Sequence, residues 1–87
     1  MMTQYNIVSA VNEIVASTLN CSIHGVQPEK HLCYDLLADS LALLDISLAL
    51  EDKFKIEYKE EFLAETEYVK DLYSIVGKAL STSQQLS

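Results

Sequence analysis

Ser40-Leu41-Ala42-Leu43-Leu44-Asp45-Ile46-Ser47-Leu48-Ala49-Leu50-Glu51-Asp52-Lys53-Phe54 is the stretch that decides the architecture. Set on a wheel at about 100° per residue, it separates into two faces. Leu43, Ile46, Ser47, Leu50 and Phe54 share one side, which predicts a face turned to a core. Leu41, Asp45, Leu48 and Asp52 fall opposite, with Leu44 beside them and Glu51 at the edge. The carboxylates forbid burying that second face whole, because an unpaired charge is too costly to take out of water. Two readings stay open for Leu41 and Leu48. Either they pack under neighbouring loops, or they stand exposed among acids as a docking surface. In such a surface leucines supply contact area and carboxylates steer a basic partner. Asp39 or Ser40 caps the start of this helix.

On either side the same period returns. Ile7, Val8, Val11, Ile14, Val15 and Leu19 recur at steps of three and four, predicting a helix over 4–19 with Thr3 as its cap. Val69, Leu72, Tyr73, Val76, Ala79 and Leu80 predict a last helix over 68–80, capped by Thr66 with Glu65 and Glu67 at its positive end. A short helix at 59–64 fits Phe62 and Leu63. Residues 20–39 carry no period and are punctuated by Asn20, Gly25 and Pro28. They read as one long ordered loop, with a single helical turn opened by Pro28-Glu29-Lys30 and with Leu32, Tyr34, Leu36 and Leu37 pinned to the core. The expected fold is therefore all-α: three main helices, a short third helix and a long first loop, over residues 1–81, with a polar tail at 82–87.

Composition narrows the function. There are 13 acids against 6 bases, a net charge of −7, and no basic cluster, so nucleic acid is not the expected partner. Proteins with basic patches are. Hydrophobic residues make up 49%, too many for a disordered chain even at this charge. Only 2 glycines and 1 proline leave too few turn residues for a β sandwich. No apolar run is long enough to span a bilayer. Met1 to Asn6 lacks the basic and apolar regions of a signal peptide, and two cysteines are too few for a disulfide scaffold. A monomer in the cytoplasm with reduced thiols is expected. Cys21, His24, His31 and Cys33 do not have the spacing of a zinc site, and the acids of 51–71 lack the alternation and central Gly of a calcium loop. No metal is expected.

The chemistry concentrates in Asp35-Leu36-Leu37-Ala38-Asp39-Ser40-Leu41, a loop that ends in a serine at a helix start. Free N–H groups and partial positive charge there suit a phosphate ester. As a nucleophile Ser40 has no base beside it in sequence and no Gly-x-Ser-x-Gly, so it is not expected to make this chain an enzyme.

This segment, with Asp45 and with Ala49-Leu50-Glu51-Asp52-Lys53-Phe54 downstream, resembles the acyl carrier protein family. That family shows Asp-Leu-Gly-x-Asp-Ser-Leu, an acid four positions on, then Leu-Glu-x-x-Phe. The resemblance extends over residues 3–80. It implies that Ser40 receives 4′-phosphopantetheine from coenzyme A beside Asp39, and that acyl intermediates ride on the arm as thioesters. It further implies that Leu41, Asp45, Leu48, Glu51 and Asp52 meet partner enzymes, and that Leu50 and Phe54 line the space for an acyl chain. The partners implied are a phosphopantetheinyl transferase and the acyl-transfer and synthase enzymes of fatty-acid, polyketide or related pathways. Several residues depart from the pattern. Leu37 stands where Gly is common, Ala42 replaces a frequent acid, and Lys53 and Lys55 dilute the acidic face. Ser47 and Tyr58 add polar groups near the interior. A specialised carrier is therefore an alternative. The chain is also similar to short carriers encoded with type III secretion systems, through Asp-Leu-x-Ala-Asp-Ser-Leu and Asp45-Ile46. The alternative from another class is an unmodified acidic helical adaptor in which Ser40 only caps the helix.

Overall fold

The computed structural model describes the backbone of residues 4–86 and the side chains of residues 6–81. Four helices follow in order: α1 Gln4–Leu19, α2 Ser40–Phe54, α3 Glu60–Glu65 and α4 Val69–Leu86, with one 3-10 turn, Ile23–Gly25, between α1 and α2. The described residues carry no strand. Thr3, the expected cap of α1, lies outside them. α4 runs to Leu86, beyond the expected end at residue 80. Ser81 to Gln85 contain neither Gly nor Pro, so nothing local stops the helix there.

Each long helix buries the centre of the stripe its period foretold, with Val8, Ile14, Leu19, Leu43, Tyr73 and Leu80 half-buried at its margins and Ile75 added in the last helix. α1 buries Ile7, Val11 and Val15, α2 buries Ile46, Ser47, Leu50 and Phe54, and α4 buries Val69, Leu72, Ile75, Val76 and Ala79. α1 packs against both α2 and α4. The α1–α4 seam also holds a polar pin, the Tyr73 hydroxyl donating to Asn12 Oδ1 at 2.6 Å. The buried Ser47 hydroxyl donates to the Leu44 carbonyl one turn back, at 2.7 Å, so it enters the core already satisfied.

The helix ends have local causes. Asn20 turns left-handed at φ 55. Its N–H and that of Cys21 donate to the Ser17 and Ala16 carbonyls, closing α1 in a Schellman motif. Lys55 turns left-handed at φ 56, and its N–H and that of Ile56 both reach the Glu51 carbonyl. The Glu51 side chain completes that corner, Oε2 accepting the Tyr58 N–H at 2.8 Å. Chain reversal then buries Ile56 and Tyr58.

Two expectations about the connections are corrected, and a third segment takes on a further role. Thr66 does not cap α4. Its hydroxyl donates back to the Phe62 carbonyl at 2.7 Å and also meets the Tyr58 hydroxyl, tying down the short α3. Asp71 takes the cap instead, its Oδ2 accepting the N–H groups of Glu67 and Tyr68 at 3.0 and 2.8 Å. Pro28-Glu29-Lys30 does form a single hydrogen-bonded turn, the Lys30 N–H donating to the Gln27 carbonyl at 3.0 Å, and it has a further role. The Pro28 and Lys30 carbonyls accept the Lys70 and Val69 N–H groups at 3.1 and 3.0 Å, so this segment satisfies the first turn of α4. A second turn, which the sequence did not announce, sits earlier as a 3-10 turn at Ile23–Gly25, capped by Ser22. Finally, Leu32 and Leu36 do pack on the core, but Tyr34 and Leu37 are 83% and 81% exposed.

Burial pushes the Tyr58 phenol above its ordinary 10.0. The Asp71 and Glu65 charges add to the rise. Burial raises the Tyr73 phenol in the same way. A folded-state pKa above the unfolded one gives stability that is complete below the unfolded value and is lost as pH climbs through the folded one. Thermal melts should therefore fall as pH rises above 10. Tyr58→Phe should melt with a flatter alkaline limb; an alkaline limb identical to wild type would refute the assignment.

Candidate functional site

α2 begins where the long loop is handed from one anchor to the next. His31 is the first anchor. Its N–H donates to Asp35 Oδ2 at 2.7 Å, its carbonyl accepts from Asp35 and Leu36, and its Nδ1 accepts the N–H groups of Cys33 and Tyr34 at 3.1 and 3.2 Å. The ring lies 4.4 Å from that of Tyr34 and edge-on to Tyr68 at 5.1 Å. Nδ1 is therefore occupied in building a turn. Among the described residues no three His, Cys, Asp or Glu gather as metal ligands. Leu32 is the second anchor. Its side chain is fully buried, its N–H donates to the Glu67 carbonyl at 2.8 Å, and its carbonyl accepts the Ala38 N–H at 2.8 Å. These bonds hold the approach to α2 against the start of α4.

Between Leu32 and Ser40 the chain alternates sharply. Leu36 is half-buried and Ala38 buried, while Leu37 projects between them at φ 62. A left-handed backbone at a residue with a Cβ costs about 1–2 kcal/mol. Leu37 is the position at which the resemblance puts a Gly, the residue that adopts this backbone without strain.

Asp39 settles the cap. Its backbone is extended, its Oδ1 accepts the Ala42 N–H at 2.8 Å, and its carbonyl accepts the Leu43 N–H at 3.0 Å, the first helical bond of α2. Ser40 is consequently the first helical residue and not the cap. Its side chain is exposed and, among the described residues, its hydroxyl has no hydrogen-bond partner. The Ser40 and Leu41 N–H groups precede the first helical bond, at the positive end of the helix. An uncrowded hydroxyl beside free N–H groups fits a phosphodiester, so the residues present suit a phosphopantetheine arm.

The outer face of α2 is open. Leu41 and Leu48 are 65% and 53% exposed, and Leu44, Asp45 and Asp52 are exposed with them. No loop covers these leucines, which excludes the reading in which they pack beneath one. Asp52 approaches Lys55 at 3.8 Å, but both side chains are almost fully in water, so the pair adds little. Glu51 differs from its neighbours: it is half-buried, and its carboxylate serves the Tyr58 corner. On the other side of α2, Leu50 and Phe54 are buried in the core. Sequence reading missed His31 as a turn centre, Glu51 as a corner clamp and Asp71 as a cap. Only Asp71 left a local trace, a carboxylate in the first turn of its helix.

Comparison with known proteins places the chain in a family. Residues 9–76 match the family described as "Phosphopantetheine attachment site". The chain is similar to acyl carrier protein 3 of Ralstonia nicotianae, 30% identical over 81 residues, covering 93% of this chain and 93% of that one. It is similar to the acyl carrier protein of Helicobacter hepaticus, 34% identical over 67 residues, covering 77% of this chain and 88% of that one. It is also similar to the meromycolate extension acyl carrier protein of Mycobacterium tuberculosis, 30% identical over 77 residues, covering 88% of this chain and 67% of that one. With an all-helical fold, a family match over most of its length and a relative aligned over 93% of both chains, this chain belongs to the acyl carrier protein family, a carrier built around a phosphopantetheine attachment site and not an enzyme.

Proposed function

We propose that Ser40 carries the 4′-phosphopantetheine arm and that the outer face of α2 docks the enzymes that load and unload it. One observation carries this reading: Asp39 takes the capping bond, which leaves an exposed Ser40 hydroxyl without a structural task. Ser40 contributes the oxygen of the phosphodiester, and the first-turn N–H groups of α2 face its negative charge. The arm, when attached, supplies a terminal thiol that holds acyl groups as thioesters. Tethering raises the effective concentration of that cargo at a docked active site. Leu41, Asp45, Leu48 and Asp52 form the docking face, with Glu51 at its inner edge. The partners are a phosphopantetheinyl transferase and acyl-transfer and synthase enzymes with basic patches. The relatives named above support acyl chains as cargo. Leu37 and Ala42 support a carrier serving a specialised set of enzymes. In this reading the protein acts as a cytoplasmic monomer with Cys21 and Cys33 reduced, and among the described residues no helix is long and apolar enough to cross a membrane.

The test is the intact mass after incubation with coenzyme A, magnesium and a broad-specificity phosphopantetheinyl transferase. One added phosphopantetheinyl group, located on Ser40 by fragmentation, is the expected result. A folded, initially unmodified protein that gains nothing from several transferases would sink the proposal.

The docking face has its own test. Asp45→Lys and Asp52→Lys should each raise the KM of partner enzymes roughly five- to tenfold at low ionic strength, with the difference shrinking in salt. Both side chains are exposed, so the melting temperature should stay near wild type. Unchanged KM values, or unfolding, would show that the face is wrongly assigned.

A further inference from the structure

Three residues among those described adopt a left-handed backbone without being glycine: Asn20, Leu37 and Lys55. Asn20 and Lys55 are explained where they stand. Each ends a helix, Asn tolerates this conformation, and the Lys side chain is at home in water. Leu37 ends no helix, packs on nothing that repays its backbone, and exposes 81% of an apolar side chain. Gly or Asn would suit the backbone better, and either would suit the solvent better. The fold does not need a leucine here, so a contact made outside the fold is what this side chain serves.

The location of Leu37 says which contact. It lies three residues before Ser40, so their Cα atoms are at most about 11 Å apart. An enzyme that reacts with the Ser40 hydroxyl itself must close over this position. Enzymes that act at the far end of the arm need not. Leu37 is flanked by two exposed carboxylates, Asp35 and Asp39, and followed by the exposed Leu41. The matching surface is an apolar socket with a basic rim, beside the active site of the partner.

We propose that Leu37 is a recognition residue for the phosphopantetheinyl transferase, an apolar knob presented next to the modified serine and seated in an apolar, basic-rimmed socket of that enzyme. The inference rests on the reading that Ser40 accepts the arm. In the reaction it serves, Ser40 Oγ forms a bond to the pantetheine-bearing phosphorus and the P–O bond to the nucleotide half breaks. The hydroxyl proton goes to a base or to water, and adenosine 3′,5′-bisphosphate leaves. Leu37 takes no part in that bond exchange; it sets how tightly the carrier is held.

The experiment is steady-state transfer from coenzyme A by a broad-specificity phosphopantetheinyl transferase to wild type, Leu37→Asn, Leu37→Gly and Leu37→Met, with a thermal melt of each protein. Leu37→Asn and Leu37→Gly should raise KM about five- to tenfold with kcat within twofold, from the lost apolar contact. The same two variants should melt roughly 4–8 °C higher, from relief of the left-handed strain. Leu37→Met keeps an apolar side chain and should keep a KM near wild type. Higher KM in a more stable protein is a combination that a structural role does not produce. The proposal is overturned if Asn and Gly leave KM within twofold, if Met raises it as much as Asn does, or if KM rises only where the melting temperature falls. A wild type that accepts no arm overturns the carrier reading and this inference together, whereas a modified wild type with indifferent variants overturns this inference alone.

Discussion

Ser40→Ala is expected to lose all capacity to gain a phosphopantetheinyl group while melting within a few degrees of wild type. The first half follows from chemistry: the arm is joined through the hydroxyl oxygen, and alanine has none. The second half follows from the structure. Had Ser40 been the cap of α2, its loss would cost about 1 kcal/mol. But Asp39 makes the capping bond, and Ser40 is an exposed first-turn residue with a free hydroxyl among the described residues. Alanine is the best helix former at such a position. The companion variant sharpens the contrast. Asp39→Ala should keep the hydroxyl and still be modified, but lose about 1 kcal/mol, which is roughly 4–8 °C in a domain of this size. Intact-mass measurement and a thermal melt on both proteins suffice. A Ser40→Ala protein that still gains mass would place the attachment elsewhere. One that melts as low as Asp39→Ala would mean that the two residues share the cap. The unmodified-adaptor alternative predicts something different: no gain of mass in wild type, and partner binding that survives Ser40→Ala.

Leu32→Ala should be the most destabilising single truncation in the loop before α2, costing about 2–5 kcal/mol. Leu32 is completely buried, and its backbone bonds on both sides: to Glu67 at the α3–α4 junction and to Ala38 two residues before Ser40. Alanine preserves those backbone groups, so the whole effect comes from the cavity left by the lost side chain. For 87 residues the total stability is about 4–13 kcal/mol, so the loss is a large fraction of it. The melting temperature should drop by about 10 °C or more. Leu36→Ala, at a half-buried position in the same loop, should cost less than half as much. Denaturant or thermal melts of the two variants give the comparison. Equal small losses would show that the loop is held by its hydrogen bonds and not by the leucine. Leu32→Ala should also slow modification of Ser40 in the population that remains folded, because the cavity loosens the backbone to which Ala38 bonds at the entrance to α2.

The parts of this protein that were legible in its sequence share one property. They depend on residues close together in the chain. α1, α2 and the start of α4 were readable because a helix shows a stripe of period 3.6 whatever it packs against. The polar side of α2 was readable because Asp45 and Asp52 cannot be buried unpaired, but whether Leu41 and Leu48 beside them stand exposed was left open. The serine motif and the acyl-carrier resemblance are likewise contiguous runs of sequence.

What the chain did not disclose are choices made between distant or competing partners. Both Asp39 and Ser40 are good caps, and only the geometry shows that Asp39 holds Ala42 and leaves Ser40 free. Thr66 is as good a cap as Asp71, yet its hydroxyl turns back to α3 because Phe62 and Tyr58 are within reach there. Pro28 and Lys30 became acceptors for α4 across some forty residues of chain, and no local pattern encodes such a pairing. Tyr34 and Leu37 look as apolar as Leu32 and Leu36, but a turn built on His31 and a left-handed backbone at Leu37 send two of them inward and two outward. Residue type and period therefore specify the helices and the chemistry of the serine. Which polar group is spent on the fold, and which is left for function, is settled only when the elements meet. A hydrogen bond goes to the partner that tertiary packing brings nearest.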